Sequence, residues 1–279
     1  MNAHFFGDHA AYMDIKMIKF SLRSISLSII GLLSCHAHAA WQMGGYAQFN
    51  DADIKGFQQT PKGGTVESTS PERPTFDELN IKSKNYPTFG LWSAYKAYKL
   101  SFDYLPLRLQ GETILSSPLV THAIPIPAGS FFHAETNDDL YILGLSRIFK
   151  ININWEISPS LKINGLDHHY EFQSGGFSST RAFFATGLGL GLDTSYVFTN
   201  NIELNAAIAV SIPVTSLEVY QAKIALAYRW YPSNNLLIKP YATVGWNKIE
   251  FKDNQPIPNY LQFRLSPAWG LGLSLEWFT

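Results

Sequence analysis

"WGLGLSLEWFT" (Trp269–Thr279) closes the chain, and in it Leu271, Leu273, Leu275 and Trp277 alternate with Gly270, Gly272, Ser274 and Glu276. Successive side chains of a β-strand point to opposite faces, so one face here is bulky and apolar while the other is nearly bare. A sandwich strand packs its large residues inward and puts charge in water. Bulk opposite small residues suits instead a lipid-facing exterior around a crowded interior, the pattern of a membrane-spanning β-barrel. One such strand carries little weight alone, so the reading depends on repetition.

The pattern repeats. In "FATGLGLGLDTSYVF", Phe184, Leu188, Leu190, Leu192, Tyr196 and Phe198 share one face, and Ala185, Gly187, Gly189, Gly191, Asp193 and Ser195 share the other. "NIELNAAIAVSIP" sets Ile202, Leu204, Ile208 and Val210 against Glu203, Asn205 and Ser211. "EVYQAKIALAYRWYP" sets Tyr220, Ile224, Leu226 and Tyr228 against Gln221, Lys223 and Arg229, and "LLIKPYATVGWNKIEF" opposes Ile238, Val244 and Trp246 to Lys239, Thr243 and Asn247. A lipid-facing Lys or Arg near the bilayer midplane costs about 2–4 kcal/mol, and these charges all lie on the opposite face. An open sheet edge is untenable in hydrocarbon, where unpaired backbone groups find no partner. The expectation is an all-β, closed antiparallel transmembrane β-barrel of eight to ten strands. Eight are placed near 98–115, 138–150, 153–172, 180–198, 201–213, 217–231, 236–252 and 258–278, with shorter candidates near 76–83 and 88–96.

Composition agrees. Only 15% of the 279 residues are charged, against about 25% in soluble domains. The net charge of −1 supplies no basic field for nucleic acid, so no nucleic-acid partner is expected. Lys16, Lys19 and Arg23 precede the apolar run "ISLSIIGLL" and the small-residue stretch "SCHAHAA", which together read as a signal peptide over residues 1–39, cleaved after Ala39. Met17 opens a better signal than Met1 and is an alternative start; "LLSC" offers the competing reading of lipidation at Cys35, the only cysteine. Residues 40–74, rich in Gly, Pro, Ser and Thr around "QQTPKGGTVESTSPERP", read as a flexible periplasmic arm, with "WQMGGYAQFN" as a short strand or plug element. The barrel then occupies 75–279.

Over roughly Pro74–Phe278 the sequence resembles the small outer-membrane β-barrel proteins of Gram-negative bacteria, with "RPTFDELNI", "YLPLRLQGE", "IPAGS" and "KDNQPIPNYLQF" as landmarks of a poorly characterised subgroup. The last strand is similar to the C-terminal signal read by the barrel-assembly machinery, except that Thr279 follows the terminal aromatic Phe278. The resemblance implies fold and location, and with them outer-membrane lipid and lipopolysaccharide as surroundings, a monomeric state, and the assembly machinery as a partner. It assigns no activity.

Chemistry-bearing residues are few. In "LDHHYEF" (Leu166–Phe172), Asp167 and His169 share one strand face and have the types of an oriented general base, while His168 and Tyr170 share the other. No nucleophile accompanies them by motif, and a polar strand end near the outer rim, needing no catalysis, is the favoured reading. His122 and His133 flank a Pro-rich loop without the spacing of a metal site; neither metal nor other cofactor is expected. "GLGLG" opens no helix and is barrel wall rather than a dinucleotide loop. Asp103, Asp193, Glu203, Lys223, Arg229 and Lys239 fall on lumen-facing positions, where side chains fill a small barrel. Three functional readings follow: a structural or surface-binding protein acting through the loop between Ser117 and Asn137, a lipid-modifying hydrolase using Asp167, His168 or His169, and a narrow small-solute pore.

Overall fold

In the computed structural model residues 41–61, 63, 72–199, 201–213 and 215–279 are described. The signal-peptide and Cys35 readings lie outside them. Ten strands form the wall: β1 (Trp41–Gln59), β2 (Ser83–Tyr95), β3 (Tyr98–Ile114), β4 (Phe131–Arg147), β5 (Trp155–Ser174), β6 (Phe177–Thr199), β7 (Ile202–Ser211), β8 (Leu217–Tyr228), β9 (Leu236–Lys252) and β10 (Tyr260–Phe278). Each pairs antiparallel with the next, and β10 returns to β1, so the sheet closes. Closure is tied where β1 begins and β10 ends: Trp41 N–H donates to Thr279 Oγ1 and Thr279 N–H donates to the Trp41 carbonyl, both at 3.0 Å.

Two expectations need correction. Trp41–Gln59 is a full strand paired on both sides, so the flexible arm does not begin at residue 40. Nor are residues 76–83 a barrel strand: Phe76–Asn80 form turns, and only Ser83 belongs to the wall. The reason lies in β1's outer face, where Asp51, Asp53 and Lys55 stand exposed. A strand carrying outward charge does not match a template that demands apolar residues outside along its whole length.

That departure is general, because the wall has two zones. On β3, Tyr98, Leu100, Phe102 and Tyr104 face outward; one residue later the phase inverts, so that Leu105, Leu107 and Leu109 are buried inside while Arg108, Gln110 and Glu112 take the outer face. β10 reaches the same result through an irregularity at Ser266–Pro267, where the register with both neighbours shifts: Trp269, Leu271, Leu273, Leu275 and Trp277 are exposed outward, whereas Leu261, Phe263 and Leu265, at positions of the same parity, are buried inward. β9 switches between outward Trp246 and inward Ile249 and Phe251. Apolar outside is the pattern of strands in lipid, and apolar inside is that of strands in water. The inversion therefore marks the membrane boundary, at the level of Tyr104, Tyr141, Trp246 and Trp269. Beyond it the wall continues as a collar on the end opposite Trp41 and Thr279, the end carrying the longer connections 60–82 and 115–130.

The boundary predicts position-dependent tolerance on the outer wall. Leu273→Arg, at the middle of the apolar run of β10, is expected to lower stability by about 2–4 kcal/mol. Gln110→Arg, exposed on the collar and paired across from Glu135, is expected to change it by less than about 0.5 kcal/mol. Urea midpoints for loss of the fast-migrating folded band on unheated gels read both; equal losses would remove the boundary.

Candidate functional site

The collar is filled, not open. Leu107, Leu109, Leu119, Phe132, Leu166, Phe172, Phe263 and Leu265 are among its fully buried side chains, and two loops fold into the bore to complete that core. From the 72–82 segment come Phe76, Leu79 and Ile81. Glu78 organises this segment: its carboxylate accepts from Thr75 N–H at 2.8 Å and Thr75 Oγ1 at 2.9 Å, and pairs with Arg73 at 2.6 Å. Burial works against the Glu78 charge, but the bonds from Arg73 and Thr75 hold its pKa below the usual carboxylate range. Arg73 Nη1 also donates to the Pro118 carbonyl at 3.1 Å, joining one loop to the other. The second loop contributes a short hairpin, Leu119–Thr121 paired with Ile124–Ile126, whose turn residues His122 and Ala123 sit at φ of 50° and 64°, as in a primed turn.

A polar network threads this apolar core. His168 Nδ1–H donates to Asp138 Oδ1 at 2.5 Å, and both residues are sealed from solvent at 0% and 1% exposure. His168 Nε2 is then left to accept from the Gln58 amide at 2.9 Å, while Gln58 Oε1 accepts from Thr136 Oγ1 at 3.3 Å. Next to it, His122 Nε2 lies 2.9 Å from the Tyr170 hydroxyl, and its Nδ1 lies 3.1 Å from Ser179 Oγ and 3.2 Å from Thr121 Oγ1. Burial, reinforced by the Arg181 guanidinium, pulls the His122 pKa down to about 4. A neutral imidazole bonded to three hydroxyls is a clamp holding the hairpin against β5 and β6.

The candidate catalytic residues are thus divided. His168 is buried in the collar core, and alternation along β5 turns Asp167 and His169 to the outer wall. Their cross-strand neighbours are Asp139 and Phe184 for Asp167, and Asn137 and Ala182 for His169; none supplies a hydroxyl or thiol nucleophile. Asp138, Gln58 and Thr136, which do join His168, lie 30 to 110 residues away in sequence and carry no local motif. His133 points outward to Glu112 at 3.1 Å, away from His122. Among the described residues no group of three or more His, Cys, Asp or Glu is placed to hold a metal ion.

Below the collar the barrel encloses a polar cavity of about 420 Å³ that reaches the rim at the end where Trp41 and Thr279 lie. Asp103, Asp193, Glu203, Lys223 and Lys239 all line it. At the rim Lys239 pairs with both Glu276 and Glu203, the latter at 3.4 Å. Arg229 is not part of the cavity wall; it lies just past the end of β8 and reaches Glu203 at 3.6 Å. The cavity ends at Leu105 and Leu140, where the apolar core begins. A closed wall, an apolar outer belt and a polar interior now stand together. The chain is an outer-membrane-type β-barrel.

No protein-family model and no curated protein matches the chain. Among solved structures the barrel is similar to the outer membrane protease OmpT from Escherichia coli, with a TM-score of 0.44 and 7% identity over 86% of this chain and 96% of that one. It is also similar to Ail, the attachment invasion locus protein of Yersinia pestis (TM-score 0.35, 11% identity, 86% and 100% covered). A third likeness is to the outer membrane protein OprG from Pseudomonas aeruginosa (TM-score 0.32, 12% identity, 88% and 97% covered). These likenesses concern barrel architecture and carry no functional argument.

Proposed function

We propose that the barrel is an outer-membrane protein of a Gram-negative bacterium, exported by its signal peptide and monomeric, with a structural or surface-binding role rather than a catalytic or conducting one. The observation that carries this reading is the filled collar. A water-facing wall extends beyond the apolar belt, plugged by an apolar core and by two loops tied together through Arg73. Such a collar is a stiff platform. Ala123–Pro125 and Pro127–Gly129 remain exposed on its capping hairpin, while Leu119, Thr121 and Ile126 of the same loop are buried. The surface offered to a partner is therefore the tip of the 115–130 loop, not its whole length. Lipopolysaccharide and lipid would surround the belt, and the β10 end would serve the assembly machinery.

Against a pore, the core closes the bore above the lumen. The purified protein in planar bilayers is expected to give no discrete conductance steps, and steps from the unaltered chain would replace this reading with the pore. Against a hydrolase, Asp167 and His169 have no nucleophile across either neighbouring strand. Lipid A and phospholipid profiles by mass spectrometry should be the same with and without the protein; a change abolished by His169→Ala would establish the enzyme instead.

A further inference from the structure

The lumen holds charges that the barrel itself does not pair. At the rim Lys239 is paired with both Glu203 and Glu276. Lys99, Lys162 and Lys223 also line the cavity, from β3, β5 and β8, and among the described residues none of their ammonium groups lies within 4.0 Å of a carboxylate. Two of them rest on aromatic faces: Lys99 Nζ is 5.0 Å from the Trp92 ring centroid, and Lys223 Nζ is 5.6 Å from that of Tyr46. Lys162 lies along the wall over Gly191, where an added Cβ would stand 2.6 Å from its Cε.

The acids at this level do not cancel them. Asp103 accepts a hydrogen bond from the Tyr46 hydroxyl at 2.8 Å, and Asp193 faces the cavity from β6. The other acids lining the chamber have cations of their own, Glu156 with Lys150 at 3.8 Å, Glu203 with Lys239 and Arg229, and Glu276 with Lys239; with those set aside, three ammonium groups face two carboxylates, an excess of one positive charge. Unpaired charge away from bulk water is costly unless a counter-charge is supplied. The chamber opens at the end where Trp41 and Thr279 lie and ends blindly at the apolar core. Its volume falls within the range of small-molecule sites, roughly 300–1,000 Å³.

We infer that the lumen is a dead-end binding cup for a small oxyanion, a phosphate- or carboxylate-bearing solute, entered from the end where Trp41 and Thr279 lie and held by Lys99, Lys162 and Lys223. This is independent of the surface-binding reading, since the cup and the collar do not share an opening.

The test is isothermal titration of the detergent-folded barrel with inorganic phosphate and, separately, citrate, at constant ionic strength set with sodium chloride. Saturable binding is expected for at least one of the two, weakened tenfold or more by Lys223→Met and by Lys99→Met. Both variants should keep the heat-dependent gel shift of the folded barrel, because neither residue makes an ion pair. Absence of saturable binding to both probes overturns the proposal. So does binding that both folded variants retain at full strength. Phosphate binding without citrate binding, or the reverse, assigns the class of oxyanion.

Discussion

Asp138→Ala is expected to destabilise the barrel by about 1.5–3 kcal/mol, the usual worth of a buried hydrogen bond to a carboxylate whose donor is then left unsatisfied. The loss has a local cause. His168 is fully buried, and its Nδ1–H has Asp138 as its acceptor; with the carboxylate gone, that donor and the Gln58–Thr136 chain behind it lose their orientation. The pair itself is not an optimum, since Asp138 Oδ2 is buried with no hydrogen-bond partner. Replacing both residues by apolar ones, Asp138→Leu with His168→Phe, is therefore expected to recover most of the loss, as apolar replacement of a buried pair often does. Urea titrations read by gel mobility compare the three proteins. A single variant within about 1 kcal/mol of the parent would mean that the pair is solvated and the collar open.

The same pair shows how far the sequence could be read. Parity along β5 follows from Leu161 and Ile163, which face lipid, and it places His169 outside and His168 inside. What waits inside is not legible, because Asp138 and Gln58 arrive from β4 and β1 and the hairpin at His122 folds in from a loop. Lumen-facing Asp193, Glu203, Lys223 and Lys239 follow from alternation alone, whereas Arg229 does not: the strand ends at Tyr228 and the alternation with it. The inversion on β3 was written in "YLPLRLQGE", where Tyr104 and Leu105 are adjacent apolar residues on opposite faces. One template, apolar outward throughout, obscured it. The same template hid β1, whose outer face changes from Phe49 to Asp51 as the wall leaves lipid.

Gly90→Val is expected to prevent assembly of the folded barrel, and the reason answers why interior faces are so bare. An added Cβ at Gly90 would stand 2.0 Å from Tyr46 Cε1 and 2.7 Å from Asp103 Oδ1, because Tyr46 and Asp103 are its direct cross-strand partners. The Tyr46 ring lies across this glycine to reach Asp103, as Tyr241 lies across Gly272 with a would-be Cβ at 2.3 Å. The space opposite the lipid face is thus occupied by side chains from neighbouring strands. Neither contact can yield cheaply: the ring is wedged in a closed wall, and moving it breaks the bond to a carboxylate. Overpacking and loss of a charged hydrogen bond together imply at least about 3 kcal/mol. Gly176→Val is the control, since nothing lies within 4 Å of its added Cβ, and it should assemble normally. Tyr46→Ala combined with Gly90→Val vacates the contested space and should restore the heat-dependent gel shift. If the double variant fails while Tyr46→Ala alone assembles, the glycine is needed for the backbone of β2 and not as a seat for the ring.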